Sequence, residues 1–241
     1  MSAATTAPAK EPPTARSLRG LAALPRFLLY HRIHRRFRDF TMVGRAAYIA
    51  NLYLADRALA DPALAGGAVI ECGTWKGGMA AGLARLGGPG RDYWFFDSFA
   101  GLPPVGEKDG EAARRWQADA AGPSYLDNCR ASREAFARVI GRVALPPERV
   151  HICAGFFVDT FPAVAVPPVA VLRLDADWYE STLLCLEKFW PNLLPGALVL
   201  IDDYYAWEGC RKAVHAFLAR REAAEAIRQS RFGKVAYMVK S

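Results

Sequence analysis

The chain is predicted to fold as an α/β domain, a mostly parallel sheet with helices on both faces. Three observations point there. Short apolar runs at 68–73, 92–98, 150–155, 169–177 and 197–204 alternate with segments of helical periodicity. Strands buried on both faces read as continuous apolar runs, and helices between them make the sheet parallel. The 241 residues are 52% hydrophobic and 23% charged, which supplies a core and excludes wholesale disorder.

The elements are expected in this order. Residues 1–16 (MSAATTAPAKEPPTAR) are rich in Ala, Pro and Thr and read as disordered. Residues 17–38 mix Leu, Phe and Ile with arginines, which suggests a basic amphipathic helix broken near Pro25. Its plain role is to pack its apolar side on the domain; a membrane-surface or nucleic-acid role is the alternative. His31 and His34 lie in this basic stretch with no Cys or carboxylate partner and read as solvated. The expected division is therefore a leader, 1–39, and one domain, 40–241. Helical periodicity covers 44–60, and a strand follows at 68–73. A Gly-rich turn leads into a helix over 74–87, then a strand over 92–98. Residues 100–128 read as a long loop with some helix. Helix 131–141, strand 150–155, strand 169–177, helix 181–193, strand 197–204, helix 210–227 and strand 234–240 complete the chain.

Composition narrows the function classes. The net charge is +7, yet residues 1–40 hold +6 of it, from Lys10 and seven arginines against Glu11 and Asp39. The rest is nearly neutral, and a phosphate-tracking surface would spread beyond a leader, so no nucleic-acid partner is expected. No apolar run approaches the ~20 residues of a membrane span. No apolar stretch with a small-residue cleavage site marks secretion. Cys72, Cys129, Cys153, Cys185 and Cys210 are scattered, odd in number and without a C-x-x-C pair. That argues against zinc or a disulfide framework and for a cytoplasmic location.

In parallel sheets, ligands bind beyond the carboxyl ends of the strands. The first strand closes with Glu71-Cys72-Gly73-Thr74-Trp75-Lys76-Gly77-Gly78. An acidic strand residue, a glycine turn and a helix make a nucleotide-binding arrangement. It is neither G-x-G-x-x-G nor a Walker motif, which weakens NAD and ATP readings. Asp97 closes the second strand where a carboxylate would bind ribose hydroxyls of NAD or of S-adenosylmethionine. Asp175-Ala176-Asp177 and Asp202-Asp203 close the fourth and fifth strands. Four carboxylates at one edge repel unless a cation compensates them, and oxygen-only ligands suit Mg²⁺.

With these residues on the page, GAVIECGTWKGGMAAGLA, YWFFDSFAGLPP, LRLDADWYEST and LVLIDDYYAWEGCRKAVHAF together resemble the macrocin O-methyltransferase family. The resemblance runs from about Phe40 to Ser241. It implies a Rossmann-like class I methyltransferase with a central, mostly parallel seven-stranded sheet. It implies that the enzyme methylates sugar hydroxyls in antibiotic and other natural-product biosynthesis, using S-adenosylmethionine and Mg²⁺. Glu71, Gly73, Thr74 and Trp75 would form the first cofactor loop. Asp97 would bind the ribose with Ser98 and Phe99 beside it, and Ala154, Gly155 and Phe156 would border the adenine. Asp175, Asp202 and Asp203 would ligate Mg²⁺. Lys76 and Ala100 stand where the family often has Arg and Glu; neither is a metal ligand.

The expected reaction is an in-line methyl displacement in which the alcohol must lose a proton. Asp175 is the first choice of base and Asp177 the second. Residues 100–128 and 40–60 are expected as lids. Trp116, Gln117, Tyr125, Trp178, Tyr179 and Tyr205 are expected around a glycosylated or polyhydroxylated small-molecule acceptor. A homo-oligomer is also expected. The competing readings are a catechol or phenol methyltransferase with the same metal site and an NAD-dependent oxidoreductase.

Overall fold

A computed structural model describes the backbone of residues 14–241 and side chains from Pro25 onward. The disorder expected for residues 1–16 lies, through Pro13, outside the described residues. The helices are α1 (Thr14–Phe37), α2 (Arg45–Leu59), α3 (Gly78–Gly87), α4 (Gly110–Ala118), α5 (Arg133–Gly141), α6 (Phe157–Thr160), α7 (Tyr179–Phe189) and α8 (Glu208–Arg220). The strands are β1 (Ala68–Cys72), β2 (Tyr93–Asp97), β3 (Val150–Ala154), β4 (Val169–Leu174), β5 (Leu193–Ile201), β6 (Arg228–Gln229) and β7 (Ala236–Val239). They form one seven-stranded sheet in the order β3-β2-β1-β4-β5-β7-β6. The first five strands are mutually parallel, and β7 runs antiparallel to β5 and β6.

Side chains alternate across the sheet, so each strand feeds two cores. Val69, Phe95, Val171 and Leu200 pack under α1, α2, α3 and α5. Ile70, Cys72, Leu172, Leu174 and Ile201 pack under α7 and α8. Glu71 and Arg173 fall on the first of these faces by the same alternation, and both are fully buried.

Several expectations change. α1 passes through Pro25 without a break. Its last turns are held by tertiary contacts: Tyr30, Ile33 and Phe37 are buried against the same core as Tyr48 and Leu52. Tyr30 also donates to Asp56 at 2.6 Å. A boundary at 39/40 therefore divides segments that pack together. Of the lid expected at 40–60, α2 belongs to the core, burying Tyr48, Ile49, Ala50, Asn51, Leu52 and Ala55, whereas Thr41, Met42 and Val43 border the cavities. The helix expected to reach 227 stops at Arg220, since Glu222 adopts φ +50 and turns the chain back toward β6 and β7. The two residues of β6 were too short a pattern to stand out in the sequence.

The crossovers diverge between β1 and β4, which opens a crevice at their carboxyl ends. The two strands stay close there. Asp175 N–H donates to Cys72 O at 2.8 Å, and Gly73 takes φ +81 directly beneath Asp175. A Cβ built on Gly73 would overlap the Asp175 carbonyl oxygen. Gly73→Ala is therefore expected to cost on the order of 3 kcal/mol or more in urea unfolding, from positive φ and backbone overlap combined. Gly141→Ala, at a position with no neighbour within 4 Å, serves as the control and is expected to unfold like the wild type.

Candidate active site

Two cavities open at this edge. The larger, about 520 Å³, is lined by Gly73, Trp75, Asp97, Ser98, Phe156 and Phe157, among others. The smaller, about 280 Å³, is lined by Glu71, Thr74, Trp116, Leu126, Asp202, Asp203 and Trp207, among others. Met42, Trp75, Cys129, Asp175 and Asp177 line both, so the cavities adjoin at the carboxylates.

The residues expected to bind the cofactor divide between them. Gly73, Trp75, Asp97, Ser98 and Phe156 face the larger cavity, whereas Glu71 and Thr74 face the smaller one. Gly155 lines neither; its φ of +135 turns the chain out of β3. Asp97 is held by its surroundings. Its Oδ2 accepts from the amides of Thr74 at 2.7 Å and Trp75 at 2.8 Å, and its Oδ1 from that of Phe99 at 2.7 Å. It thereby joins the turn after β1 to the turn after β2.

The carboxylates gather around Arg173, whose side chain is 0% exposed. Its Nη1 donates to Glu71 Oε1 at 2.6 Å and to Asp175 Oδ2 at 2.8 Å, and its Nη2 lies 2.6 Å from Asp202 Oδ1. Burial opposes the guanidinium charge, and Asp202, Asp175 and Glu71 more than restore it. Burial pushes the Glu71 carboxyl up to about 8 while Arg173 pulls it down. One Glu71 oxygen, Oε2, is buried without a hydrogen-bond partner.

Beyond Arg173, oxygens of Asp175, Asp177 and Asp203 all lie within 4.8 Å of one another. Burial pushes all three carboxyls up. Asp175 rises to about 6 with Arg173 opposing, Asp177 to about 8 with Asp175 adding to the rise, and Asp203 well above the usual range beside Asp177. Asp202, expected among the metal ligands, lies with one oxygen beside Arg173, as Asp175 does, and Asp177, expected as the second choice of base, stands with Asp175 and Asp203 in the cluster. The reason is register: Asp202 follows Ile201, which pairs with Leu174, so its side chain comes up beside the β4 guanidinium.

Trp75, Trp116 and Trp207 line the smaller cavity, and Trp178 packs behind them. Trp207 Nε1 donates to Asp177 Oδ1 at 2.9 Å, Trp178 Nε1 to Pro103 O at 3.0 Å and Trp116 Nε1 to Ser124 O at 3.1 Å. Ring centroids lie 5.2 Å apart for Trp178 and Trp207 and 5.9 Å apart for Trp116 and Trp207. Of the residues expected around the acceptor, Trp116 lines the cavity and Tyr125 and Trp178 pack on it. Gln117 braces the 100–128 segment by bonding to Val105, Pro103 and Asn128. Tyr179 is buried and Tyr205 is exposed, and neither lines a cavity. Trp207 and Arg173 were not singled out from the sequence. An arginine inside the apolar run VAVLRLDAD was the available signal, because such a charge needs carboxylates beside it.

None of the described helices is long and apolar enough to cross a membrane. All five cysteines are free.

The chain is similar to known proteins of one family. The family model for macrocin O-methyltransferase (TylF) matches residues 36–237. A Streptomyces olivaceus relative, 8-demethyl-8-(2,3-dimethoxy-alpha-L-rhamnosyl)-tetracenomycin-C 4'-O-methyltransferase, is 37% identical over 64% of this chain and 59% of its own. Demethyldecarbamoylnovobiocin O-methyltransferase of Streptomyces niveus is 36% identical over 66% of this chain and 61% of its own. The match thus spans about three fifths of these relatives' lengths. The solved structure of the O-methyltransferase NovP superposes with TM-score 0.69 and 31% identity, covering 84% of this chain and 82% of that one. The sheet order and these matches make the fold that of class I methyltransferases, and the chain belongs to the macrocin O-methyltransferase family.

Proposed function

We propose that the protein transfers the methyl group of S-adenosylmethionine to a hydroxyl of a sugar carried by a natural product, with Mg²⁺ at the carboxylate cluster. The observation that carries this reading is the junction of two cavities at Asp175 and Asp177, one sized for a cofactor and the other walled by indoles. The name of the Streptomyces olivaceus relative, with its rhamnosyl group, supports a sugar acceptor.

The larger cavity fits the cofactor: Gly73 leaves room at its base and the Asp97 carboxylate stands in its wall. S-adenosylmethionine would supply an electrophilic methyl group there. The cluster fits a hard divalent ion, because three crowded carboxylates, Asp203 buried and Asp175 and Asp177 half-buried, resist ionising together and all are oxygen donors. Mg²⁺ commonly needs only one or two protein carboxylates. Asp175 and Asp203 would hold it, with Asp202 balancing Arg173 behind them. When bound, the ion would polarise the substrate hydroxyls and lower their pKa.

Asp177 is then the better base than Asp175. Asp175 is tied to Arg173, which weakens its hold on a proton, whereas Asp177 faces no guanidinium. Trp207 occupies Asp177 Oδ1 and leaves Oδ2 to accept the hydroxyl proton. The indoles exclude water and offer flat faces to sugar C–H surfaces. Holding the hydroxyl beside the cofactor makes the step effectively unimolecular.

The test is release of S-adenosylhomocysteine with a panel of deoxysugar glycosides, sugar nucleotides and catechols. Turnover is expected with neutral glycosides, and EDTA is expected to abolish it. Turnover confined to catechols, or surviving EDTA, overturns the reading. Within that assay, Asp177→Asn is expected to lower kcat by about 10²–10⁴-fold, the usual contribution of a general base. It should keep Mg²⁺ binding in calorimetry, which Asp203→Asn should lose.

The raised carboxyls also set a pH signature for the metal-free protein. Asp177 holds its proton to about 8 when folded and releases it near its ordinary value, about 4, when unfolded. The folded state binds more protons between those values, so stability falls as pH rises through that window. The metal-free melting temperature is expected to be lower at pH 8 than at pH 6. Asp177→Asn should shrink the difference; an unchanged slope would remove Asp177 as its source.

A further inference from the structure

Asp109 lies in the loop between β2 and α4 and is 3% exposed. Carboxylates this deep are uncommon without an ionic partner. The neighbouring cations are engaged elsewhere: Lys108 lies 3.6 Å from Glu180, and Lys212 lies 2.6 Å from Glu208. Asp109 is satisfied by backbone instead. Its Oδ1 accepts from Tyr179 N–H at 2.6 Å and its Oδ2 from Gly106 N–H at 2.7 Å.

Tyr179 is the first residue of α7, whose own N-cap, Trp178, makes no capping hydrogen bond with its side chain. Asp109 therefore caps α7 from 70 residues away in sequence. The same carboxylate is pressed against Gly209 in the first turn of α8, where a Cβ would overlap Asp109 Oδ1. α8 likewise lacks a side-chain cap of its own, since its N-cap is Trp207. One carboxylate thus faces the positive ends of two helices. Each of those helices begins just after a site residue: Tyr179 follows Asp177 by two positions, and Gly209 follows Trp207 by two.

We propose that Asp109 is a positioning residue that couples the 98–130 segment to the catalytic carboxylates. By capping α7 and seating on α8, it fixes the register between Asp177 and Trp207. The same pin keeps Trp116, Leu126 and Cys129 over the smaller cavity. Gly106 and Gly209 complete it, one donating an amide and the other leaving space. Only the kinetic consequence and the S-adenosylhomocysteine measurement rest on the methyl-transfer reading.

Asp109→Asn tests this, because one amide donor would then face an NH₂ group. Hydrogen exchange is read peptide by peptide, with S-adenosylhomocysteine affinity measured beside it. Exchange is expected to rise about tenfold or more in three places together, namely 106–128, the first turn of α7 and the first turn of α8. β1, β2 and α3 should be unchanged, and S-adenosylhomocysteine affinity should fall no more than a few-fold, the share of Glu180 and Ser181 in the larger cavity. Exchange that rises only in 106–118, or uniformly with a fall in melting temperature, overturns the coupling. Gly209→Ala is the second variant, should Asp109→Asn fail to fold. Alanine favours helix, so a local effect would protect α8; the proposal expects faster exchange in all three places. With an acceptor that the wild type turns over, kcat should fall while the KM for S-adenosylmethionine stays within a few-fold. A rise in that KM at constant kcat counts against the proposal, and if no acceptor is turned over, the exchange pattern decides it.

Discussion

A single buried guanidinium lets this sheet carry so much negative charge at one edge. Arg173 sits on the central strand β4, flanked by β1 and β5, and reaches a carboxylate from each: Glu71, Asp175 and Asp202. Removing one partner of a buried pair commonly costs about 3–5 kcal/mol, because the other charge is stranded. Here the stranded charges would be three. The planar fork of arginine can meet several carboxylates at fixed angles, which the point charge of lysine cannot. One positive charge does not balance three ionised carboxylates, and Asp177 and Asp203 would add two more, so in the metal-free protein the Glu71, Asp177 and Asp203 carboxyls are raised and resist ionising. The deficit lies toward the cavities, where a divalent ion and a sulfonium cofactor would each reduce it.

The other constraint is backbone strain concentrated where the strands end. Trp75, Phe99 and Asp177 all take positive φ, between +48 and +54, in the turns after β1, β2 and β4. Leu126, Asp127, Asn128 and Cys129 form a left-handed turn of four residues at the cavity mouth. Each such residue costs of order 1–3 kcal/mol and persists only where its surroundings over-determine it. The surroundings are visible: Asp97 clamps the Thr74, Trp75 and Phe99 amides, and Asn128 bonds to Leu102 on both backbone and side chain. These turns bring side chains to the crevice that regular strand ends would point away from it.

The layout of the fold could be read from the sequence because each signal was local. Apolar runs such as AVIEC and VAVLRL, and the Gly-rich exit after Cys72, identify strands and turns without knowledge of their neighbours. The acidic pairs were legible for the same reason, since strand ends in a parallel sheet share an edge. What could not be read depended on partners far apart in the chain. Asp202 was expected on the metal because adjacent aspartates look equivalent; only the β4–β5 register shows one turned toward Arg173 and the other toward Asp177. Trp207 looked like one more aromatic until its indole was found 30 residues away on Asp177. The helix of segment 40–60 resembled a lid because helical periodicity does not say which face is covered.

The indole walls and the charge together define what the smaller cavity can accept. The N–H groups of the three lining indoles, Trp207, Trp116 and Trp75, are bonded within the protein, to Asp177, Ser124 and Arg130. The walls therefore offer ring faces and edges but no donor for an acceptor oxygen. Among the described residues that line either cavity there is no Lys or Arg. On the proposed reading, a diphosphate or carboxylate on the acceptor would meet no Lys or Arg of the lining and would depend on the divalent ion alone. A neutral sugar would need no such partner: its C–H faces would lie against indole while its hydroxyls turned to the acidic floor. The same features that would gather charge for a metal ion would thus favour neutral acceptors over anionic ones, so that affinity and selectivity would come from one arrangement of residues.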